Sequence, residues 1–162
     1  MSWPSAVVFT VSDSFASGRR EDLSGLAVKN ALQKHFQITK SEVVADDYAS
    51  IETALRRLAG EADLVVTTGG TGIAERDITP EATRAVCSRL LDGVPERMRA
   101  QGAKKTPFAA LSRAICGVCG KALILNLPGN PKGAVESLEA VLDLLPHAID
   151  LLRGKTEHTA AR

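Results

Sequence analysis

The segment Thr67–Arg84 reads TTGGTGIAERDITPEATR, and it joins the end of one apolar run to the start of a helix. The run before it, DLVVTT (Asp63–Thr68), is short and rich in β-branched residues, which is typical of a buried strand. The glycines suit a tight turn, and Thr79 followed by Pro80 has the pattern of a helix N-cap and its first helical residue. A strand that turns directly into a helix favours a fold in which the two alternate.

The rest of the chain continues this alternation without an internal repeat. Further strands are predicted at Ala6–Val11, at Glu42–Ser50 (running into a polar loop) and at Lys121–Gly129. Helices are predicted at Ser24–Phe36, from a cap at Ser50 through Ile51–Ala59, at Val94–Lys105 and over Pro131–Arg153 with a bend at Pro146. Short apolar strands between helices predict an α/β fold with a central, largely parallel sheet covered by helices on both faces. We expect one domain over residues 1–153 and a polar C-terminal tail over residues 154–162.

Composition and charge exclude several classes of protein. The 162 residues are 44% hydrophobic and 24% charged, which fits one globular domain with a core and excludes a disordered acidic protein. No apolar run is long enough for a spanning helix, and the N-terminus lacks the pattern of a secretory signal, so we expect a cytoplasmic protein. The net charge of +1 argues against binding to nucleic acid or to an anionic membrane.

Four loops are expected at one edge of the sheet, because ligands of such folds bind outside the carboxyl ends of the strands. These loops are Ser12–Gly18, Asp46–Ser50, Gly69–Asp77 and Pro128–Lys132. The glycines of Gly69–Gly72 can turn successive amides toward one point as an anion nest, or they can form a tight turn that binds nothing. The segment matches neither a Walker loop nor a dinucleotide fingerprint.

Two acidic residues lie on separate loops at this predicted edge of the sheet. Asp77 precedes a helix and can simply satisfy its amides and dipole, and Asp46 can belong to a solvated turn. Together, the two carboxylates can instead bind Mg²⁺, which prefers oxygen ligands and shares its shell with substrate phosphates. Ser112 and Arg113 add a hydroxyl and a planar donor fork that suit a phosphate or a ring edge. The pair CGVC (Cys116–Cys119) has no second pair to complete a metal site, and we assign it no chemistry.

Several motifs in this order and spacing resemble the molybdopterin-binding Mog/MoaB family, which includes the G domain of gephyrin. They are TVSDS, VVADD, TTGGTGIAERDITPEAT, TPFAALSR, GKALILNLPGNPKG and LPHAIDLLR, and they span about residues 6–153. The resemblance implies a three-layer α/β/α sandwich of the molybdopterin-binding fold, a homotrimer and a molybdopterin adenylyltransferase of molybdenum cofactor biosynthesis. The implied reaction joins ATP and molybdopterin, with Mg²⁺, and releases pyrophosphate ahead of molybdate insertion by a separate protein.

The resemblance also implies roles for particular residues. Asp46 and Asp77 would place the metal ion and act in adenylyl transfer. Molybdopterin would be held by Gly69, Gly70, Thr71, Gly72, Ser112 and Arg113. The nucleotide side would be completed by Ser12, Asp13, Ser14, Pro128, Gly129 and Asn130. Cys119 stands where arginine is common, which implies one positive charge fewer near the site.

Two alternative functions remain open on the sequence alone. The first is a binding or carrier protein of the same family that holds molybdopterin without adenylylating it. The second is a Mg²⁺-dependent hydrolase of another phosphorylated small molecule. Transient contact with a molybdate-insertion protein would follow from the leading interpretation.

Overall fold

The structure is a computed structural model, and it describes residues 3–155. The strands are β1 (Ser5–Val11), β2 (Gln37–Val44), β3 (Leu64–Thr68), β4 (Arg89–Leu90), β5 (Cys116–Cys119) and β6 (Ala122–Leu127). The helices are α1 (Asp13–Ala16), α2 (Leu23–Leu32), α3 (Tyr48–Ala59), α4 (Thr79–Val86), α5 (Gly93–Ala103), α6 (Pro131–Val141) and α7 (Leu145–Leu152), with a 3-10 helix at Pro107–Leu111. None of the helices in residues 3–155 has the length and apolar character that crossing a membrane requires.

All six strands belong to one sheet, in the order β2-β1-β3-β6-β5-β4. β1, β2, β3 and β6 run parallel, whereas β5 runs antiparallel to β4 and β6. The parallel strands therefore end at the same side of the sheet, which we call the carboxyl edge. The expectation that the four loops share one edge is confirmed. The strand order reverses between β1 and β3, and sheets of this kind bind ligands at such a reversal.

Helices cover both faces of the sheet, which confirms the predicted three-layer fold. Along β1, Ala6 and Val8 face a core formed with α2, α5, α6 and α7. Val7 and Phe9 point to the opposite face and pack with α3 and α4. This alternation is the period of two expected of a strand that is buried on both sides.

Three boundaries around β2 differ from the prediction. α2 ends at Leu32, and β2 begins at Gln37 rather than Glu42, because the chain turns at Gln33–Phe36 and buries Phe36 in the core. α3 is capped by Asp47 rather than by Ser50. The Asp47 carboxylate accepts the amide of Ser50 at 2.9 Å and its hydroxyl at 2.5 Å, so the stronger acceptor begins the helix three residues earlier.

The C-terminal third also differs in detail from the prediction. The closing segment forms two helices rather than one bent helix, and Pro146 lies in the first turn of α7, where its missing N–H breaks no helical bond. The CGVC segment is strand β5, which forms a hairpin with β6 that the sequence analysis missed. Of the predicted tail, Gly154 and Lys155 follow α7, and residues 156–162 lie outside the described part of the chain.

A buried amide ties the centre of the sheet to α4. Asn126 Nδ2 donates to Thr67 Oγ1 at 3.0 Å and to Thr83 Oγ1 at 2.9 Å, and its Oδ1 accepts the amide of Ile115 at 3.1 Å. All four residues are buried. Because α4 directly follows Asp77 in the chain, this network also helps to set the height of that acid at the carboxyl edge.

We expect Asn126→Ala to lower the free energy of unfolding by about 3 kcal/mol, because it leaves buried donors and acceptors without partners. Asn130→Ala is the matched control, since Asn130 is an exposed cap of α6 whose loss costs about 1 kcal/mol. Urea unfolding of both variants measures the difference. Equal losses would contradict a special role for the Asn126 network.

Candidate functional site

The ends of three strands come into very close contact at Gly69. Its amide donates to the carbonyl of Leu127 at the end of β6, at 3.0 Å. A Cβ at Gly69 would overlap the carbonyl oxygen of Val11 at the end of β1, and a Cβ at Gly129 would lie 3.3 Å from the Cα of Gly69. Side chains are thus excluded from this part of the carboxyl edge, and the backbone alone forms its surface.

The glycine turn, Gly69–Gly72, has the conformation expected of an anion nest. Gly69 and Gly70 have φ angles of +95° and +69°, which glycine adopts without strain. Within residues 3–155, the amides of Gly70, Thr71, Gly72 and Ile73 donate to no protein acceptor. Free amides in consecutive residues of such a turn bind anions, so the arrangement favours the ligand-binding interpretation over a plain turn.

Thr79 lies against the glycine turn and does not cap α4, contrary to the prediction. It is the first helical residue, and the residue before it, Ile78, provides no side-chain cap. A Cβ at Gly70 would overlap Thr79 Oγ1, and the Thr79 amide donates to the Gly70 carbonyl at 3.2 Å. The Thr79 hydroxyl is fully buried and has no partner among the described residues. Its side chain faces the turn instead of the helix amides, where it offers an additional donor.

The carboxylate of Asp77 closes the second half of the loop. Its Oδ2 accepts the amide of Ala74 at 3.0 Å, and a Cβ at Gly72 would lie 2.8 Å from the same oxygen. The simple capping interpretation required the carboxylate to bond to the amides of α4. It bonds to the loop instead. Oδ1 makes no hydrogen bond within residues 3–155, so it is available to a ligand.

Arg113 joins the glycine turn to α4 through three donors. Nε donates to the Gly72 carbonyl at 2.8 Å, Nη2 to the Asp77 carbonyl at 2.6 Å and Nη1 to Glu81 Oε2 at 2.6 Å. The Arg113 amide adds a bond to the Thr71 carbonyl at 2.9 Å. The predicted contact of this guanidinium with substrate stays a prediction, and the structure shows that it shapes the turn. The sequence contained no signal for its partner Glu81.

Asp13 and Asp46 bring the loops after β1 and β2 together by reciprocal bonds. The Asp46 amide donates to Asp13 Oδ1 at 2.8 Å, and the Asp13 amide donates to Asp46 Oδ2 at 3.3 Å. Burial above all, and the charges of Asp13 and Asp77, raise the pKa of the Asp46 carboxyl above its ordinary value. The Asp13 amide and the nearby charge of Arg76 act in the opposite direction. The two predicted acids thus influence each other across the carboxyl edge.

These acids fit a metal ion that shares its ligands with a substrate. In the part of the chain that the structure describes, no three His, Cys, Asp or Glu side chains form a metal site by themselves. Mg²⁺ commonly takes only one or two carboxylates and completes its shell with water and phosphate oxygens. Asp46 and Asp77, which are close enough for the charge of Asp77 to raise the pKa of Asp46, meet this smaller requirement.

Two other predicted binding residues cap helices at the carboxyl edge. Ser12 Oγ accepts the amide of Phe15 at 3.4 Å and lies 3.1 Å from Ser14 Oγ. Asn130 Oδ1 accepts the amide of Gly133 at 3.0 Å at the start of α6. Both helices therefore begin at this edge, with the positive ends of their dipoles directed toward it.

A cleft of about 380 Å³ opens beside the glycine turn, between α4 and α5. It includes Ser112 and Arg113, two of the predicted binding residues, and its volume lies in the range of small-molecule sites. Arg84 and Arg99 also line it. Sequence reasoning missed both arginines, because a charged residue on a helix gives no indication of the cleft that it borders.

The cysteines lie away from the glycine turn. Cys119 pairs with Ala122 at the start of β6, which is the edge opposite the site. The expectation that Cys119 removes a charge near the site is therefore wrong, because the β5–β6 hairpin reverses the chain direction. Burial raises the pKa of Cys87 to about 11 and that of Cys116 to about 12, so these thiols stay protonated near neutral pH.

Comparison with known proteins agrees with this geometry. Residues 7–147 match the family described as "Probable molybdopterin binding domain". The chain belongs to this molybdopterin-binding family. The match covers the glycine turn, both acids and every other residue predicted for the site.

Individual relatives confirm the predicted family. The molybdopterin adenylyltransferase of Helicobacter pylori strain J99 is 46% identical over 152 residues, which cover 91% of this chain and 86% of the relative. Gephyrin of Dictyostelium discoideum is 36% identical over 160 residues, which cover 91% of this chain and 22% of gephyrin. The crystal structure of the molybdopterin biosynthesis enzyme MoaB from Thermus thermophilus superimposes with a TM-score of 0.88 at 49% identity, covering 94% of this chain and 98% of that one.

We expect Gly69→Ala to lower the free energy of unfolding by about 3 kcal/mol, through backbone strain and overlap with the Val11 carbonyl. Gly120→Ala is the matched control, because Gly120 also has a positive φ of +62° but no atom near its Cβ position. That variant should lose only about 1 kcal/mol, from strain alone. Urea unfolding compares the two, and equal losses would contradict the close packing at Gly69.

In metal-free protein we expect the pKa of Asp46 to lie above that of an ordinary aspartate. Asp13→Asn should lower it, because the change removes a neighbouring negative charge and keeps the amide that donates to Asp46. NMR titration of the Asp46 carboxyl carbon measures both values. An unchanged or higher pKa in the variant would contradict the electrostatic coupling of the two acids.

Proposed function

We propose that this protein transfers the adenylyl group of ATP to molybdopterin, with Mg²⁺, giving adenylyl-molybdopterin and pyrophosphate. The observation that carries the proposal is a glycine turn with four free amides beside two acids, Asp46 and Asp77, in a member of the molybdopterin-binding family. Bacterial relatives named molybdopterin adenylyltransferase support the same reaction, and the predicted enzyme class is confirmed by them.

The two substrates are assigned to opposite sides of the strand reversal. Molybdopterin lies on Gly69–Gly72 and against Ser112 and Arg113, with its terminal phosphate at the free amides. ATP lies between the loop Ser12–Ser14 and the turn Pro128–Asn130. This division is supported by the helix starts of α1 and α6 at the edge, where free amides and the helix dipole favour phosphate groups.

In the proposed reaction, an oxygen of the molybdopterin phosphate forms a bond to the α-phosphorus of ATP. The bond from that phosphorus to the bridging oxygen breaks, and pyrophosphate leaves with the electron pair. The protein forms no covalent intermediate, so its work is to align two anions and to offset their repulsion. A Mg²⁺ ion held by Asp46 and Asp77 would neutralise phosphate charge.

The described contacts support this alignment. The glycine turn cannot shift freely, because Arg113 bonds to the Gly72 and Asp77 carbonyls and, in α4, to Glu81. The bonds between Asp13 and Asp46 fix the loop after β1 against the loop after β2. Each substrate therefore meets a loop that is already held in place, which lowers the entropy cost of the reaction.

The quaternary structure, partner and location are also proposed from the family resemblance. We propose a homotrimer that acts in the cytoplasm and makes transient contact with a molybdate-insertion protein. Large apolar side chains on the surface of the single chain support contacts between proteins. They include Trp3, Leu23, Leu26, Ile73, Phe108 and Leu111.

We expect Asp77→Asn and Asp46→Asn each to lower kcat by roughly 100-fold, because each removes a negative oxygen ligand from the transferring phosphates. Molybdopterin affinity should change by less than about threefold, since the glycine amides remain. The assay follows pyrophosphate release from ATP with molybdopterin and Mg²⁺. Asp47→Asn is the control, because Asp47 is exposed and caps α3, and asparagine caps helices equally well.

The same assay separates the alternatives. Full activity of either acid variant would remove the role given to that residue. Tight molybdopterin binding by the unaltered protein without pyrophosphate release would identify a binding or carrier protein. Release of phosphate or pyrophosphate without molybdopterin would identify a hydrolase.

A further inference from the structure

Four polar side chains form a buried chain of hydrogen bonds below the carboxyl edge. Thr10 Oγ1 donates to Asp22 Oδ2 at 2.7 Å, and Thr68 Oγ1 donates to Thr10 Oγ1 at 3.2 Å. Ser24 Oγ lies 3.3 Å from both Thr68 Oγ1 and Asp22 Oδ1. Asp22 Oδ1 also accepts the amide of Gly25 at 2.8 Å and so caps α2. We call Thr10, Asp22, Ser24 and Thr68 the hydroxyl chain.

The surroundings leave the side chains of the hydroxyl chain little room to move. Thr10, Ser24 and Thr68 are at most 1% exposed. A Cβ at Gly25 would lie 2.8 Å from Thr10 Oγ1 and would overlap the Asp22 carboxylate. A buried polar network in which each member has a partner is rigid, because any shift leaves a donor or an acceptor unpaired.

The hydroxyl chain joins the two loops on which the proposed substrates lie. Thr10 and Thr68 are register partners at the ends of β1 and β3. Two residues after Thr10 the loop Ser12–Ser14 begins, and the glycine turn begins directly after Thr68. The hydroxyl chain therefore spans, from below, the gap between β1 and β3 where the strand order reverses.

We propose that the hydroxyl chain, with Thr68 at its centre and Asp22 as its acceptor, sets the position of the glycine turn relative to the Ser12–Ser14 loop. The proposal rests on the proposed function, because that reaction needs two anions aligned across this gap. Each loop can still bind its own substrate when the spacing between the loops changes. The hydroxyl chain thus acts on kcat rather than on the affinity for either substrate, and a displacement of about 1 Å can cost about 100-fold in rate.

The donor pattern identifies which substitutions break the hydroxyl chain. A carboxylate only accepts, so the hydroxyl protons of Thr10 and Thr68 point toward Asp22. In Asp22→Asn, the side-chain amide nitrogen can donate to Thr10. Thr10 then donates to Thr68, Thr68 donates to Ser24, and Ser24 donates to the amide oxygen. That variant keeps all its bonds. Thr68→Val has nearly the same shape but removes the central hydroxyl.

The test measures kcat, both KM values and the binding of each substrate alone. For Thr68→Val we expect kcat to fall about 10-fold to 100-fold, with both KM values and both affinities within about threefold. Thr68→Ser and Asp22→Asn should keep kcat within about threefold, because the bonds are retained. Thr10→Val breaks the same chain and replaces Thr68→Val if that variant does not fold.

Ser5→Ala is the control for a merely structural effect. It removes the bond from Ser5 Oγ to Asp63 Oδ2, at 3.0 Å, on the opposite edge of the sheet. It should lower the thermal midpoint without changing kcat. A kcat for Thr68→Val within twofold of the unaltered protein would overturn the proposal. The proposal would also be overturned if Ser5→Ala and Thr68→Val both lowered kcat in proportion to their loss of thermal stability.

A second measurement does not require turnover. Hydrogen exchange of the Ser12 and Gly69 amides, which donate to the carbonyls of Val44 and Leu127, should become faster in Thr68→Val without substrate and stay unchanged in Thr68→Ser. If the unaltered protein releases no pyrophosphate, the proposed function fails, and the exchange rates alone decide the positioning role. Unchanged exchange in Thr68→Val would overturn it.

Discussion

The carboxyl edge depends on the narrow space around Gly69. Its neighbours are the Val11 carbonyl at the end of β1 and the Leu127 carbonyl at the end of β6, so no side chain fits there. The chain leaves β3 with a positive φ, which turns the next residues away from the sheet and leaves the amides of Gly70–Ile73 without protein acceptors. The crowding between three parallel strands therefore requires glycine at this position, and the turn that glycine makes leaves free amides that can bind an anion.

Polar contacts fix the acids and loops around this turn. Arg113 uses three of its five N–H donors on two carbonyls and a carboxylate of the protein, which links the turn to α4. The Asn126 amide fixes α4 to β3 and β6 from the other side. The hydroxyl chain ending on Asp22 fixes β1 to β3. A site whose ligands are mostly backbone amides needs such support, because backbone can be aimed only by moving whole loops.

The sequence predicted the features that follow from periodicity and chain direction. Buried strands and the amphipathic α3 have clear patterns, and parallel strands must place their following loops at one edge. Features that depend on a partner distant in sequence could not be predicted. Thr79 has the residue type of a cap but faces Gly70, and Arg113 finds its acceptors about forty positions earlier in the chain. The hairpin that moves Cys119 to the opposite edge depends on β5, a strand of four residues that is too short to show a period.

The charges at the carboxyl edge favour a cation in the proposed reaction. Asp13, Asp46 and Asp77 place three carboxylates at this edge, and burial above all, with the charges of Asp13 and Asp77, raises the pKa of Asp46. Bringing two phosphorylated substrates to this edge adds further negative charge. The charge of Arg113 offsets it only in part, because the guanidinium is already paired with Glu81 and bonded to the Gly72 and Asp77 carbonyls. Free amides contribute only partial positive charge, so a divalent ion between the acids and the phosphates is the simplest way to balance the site.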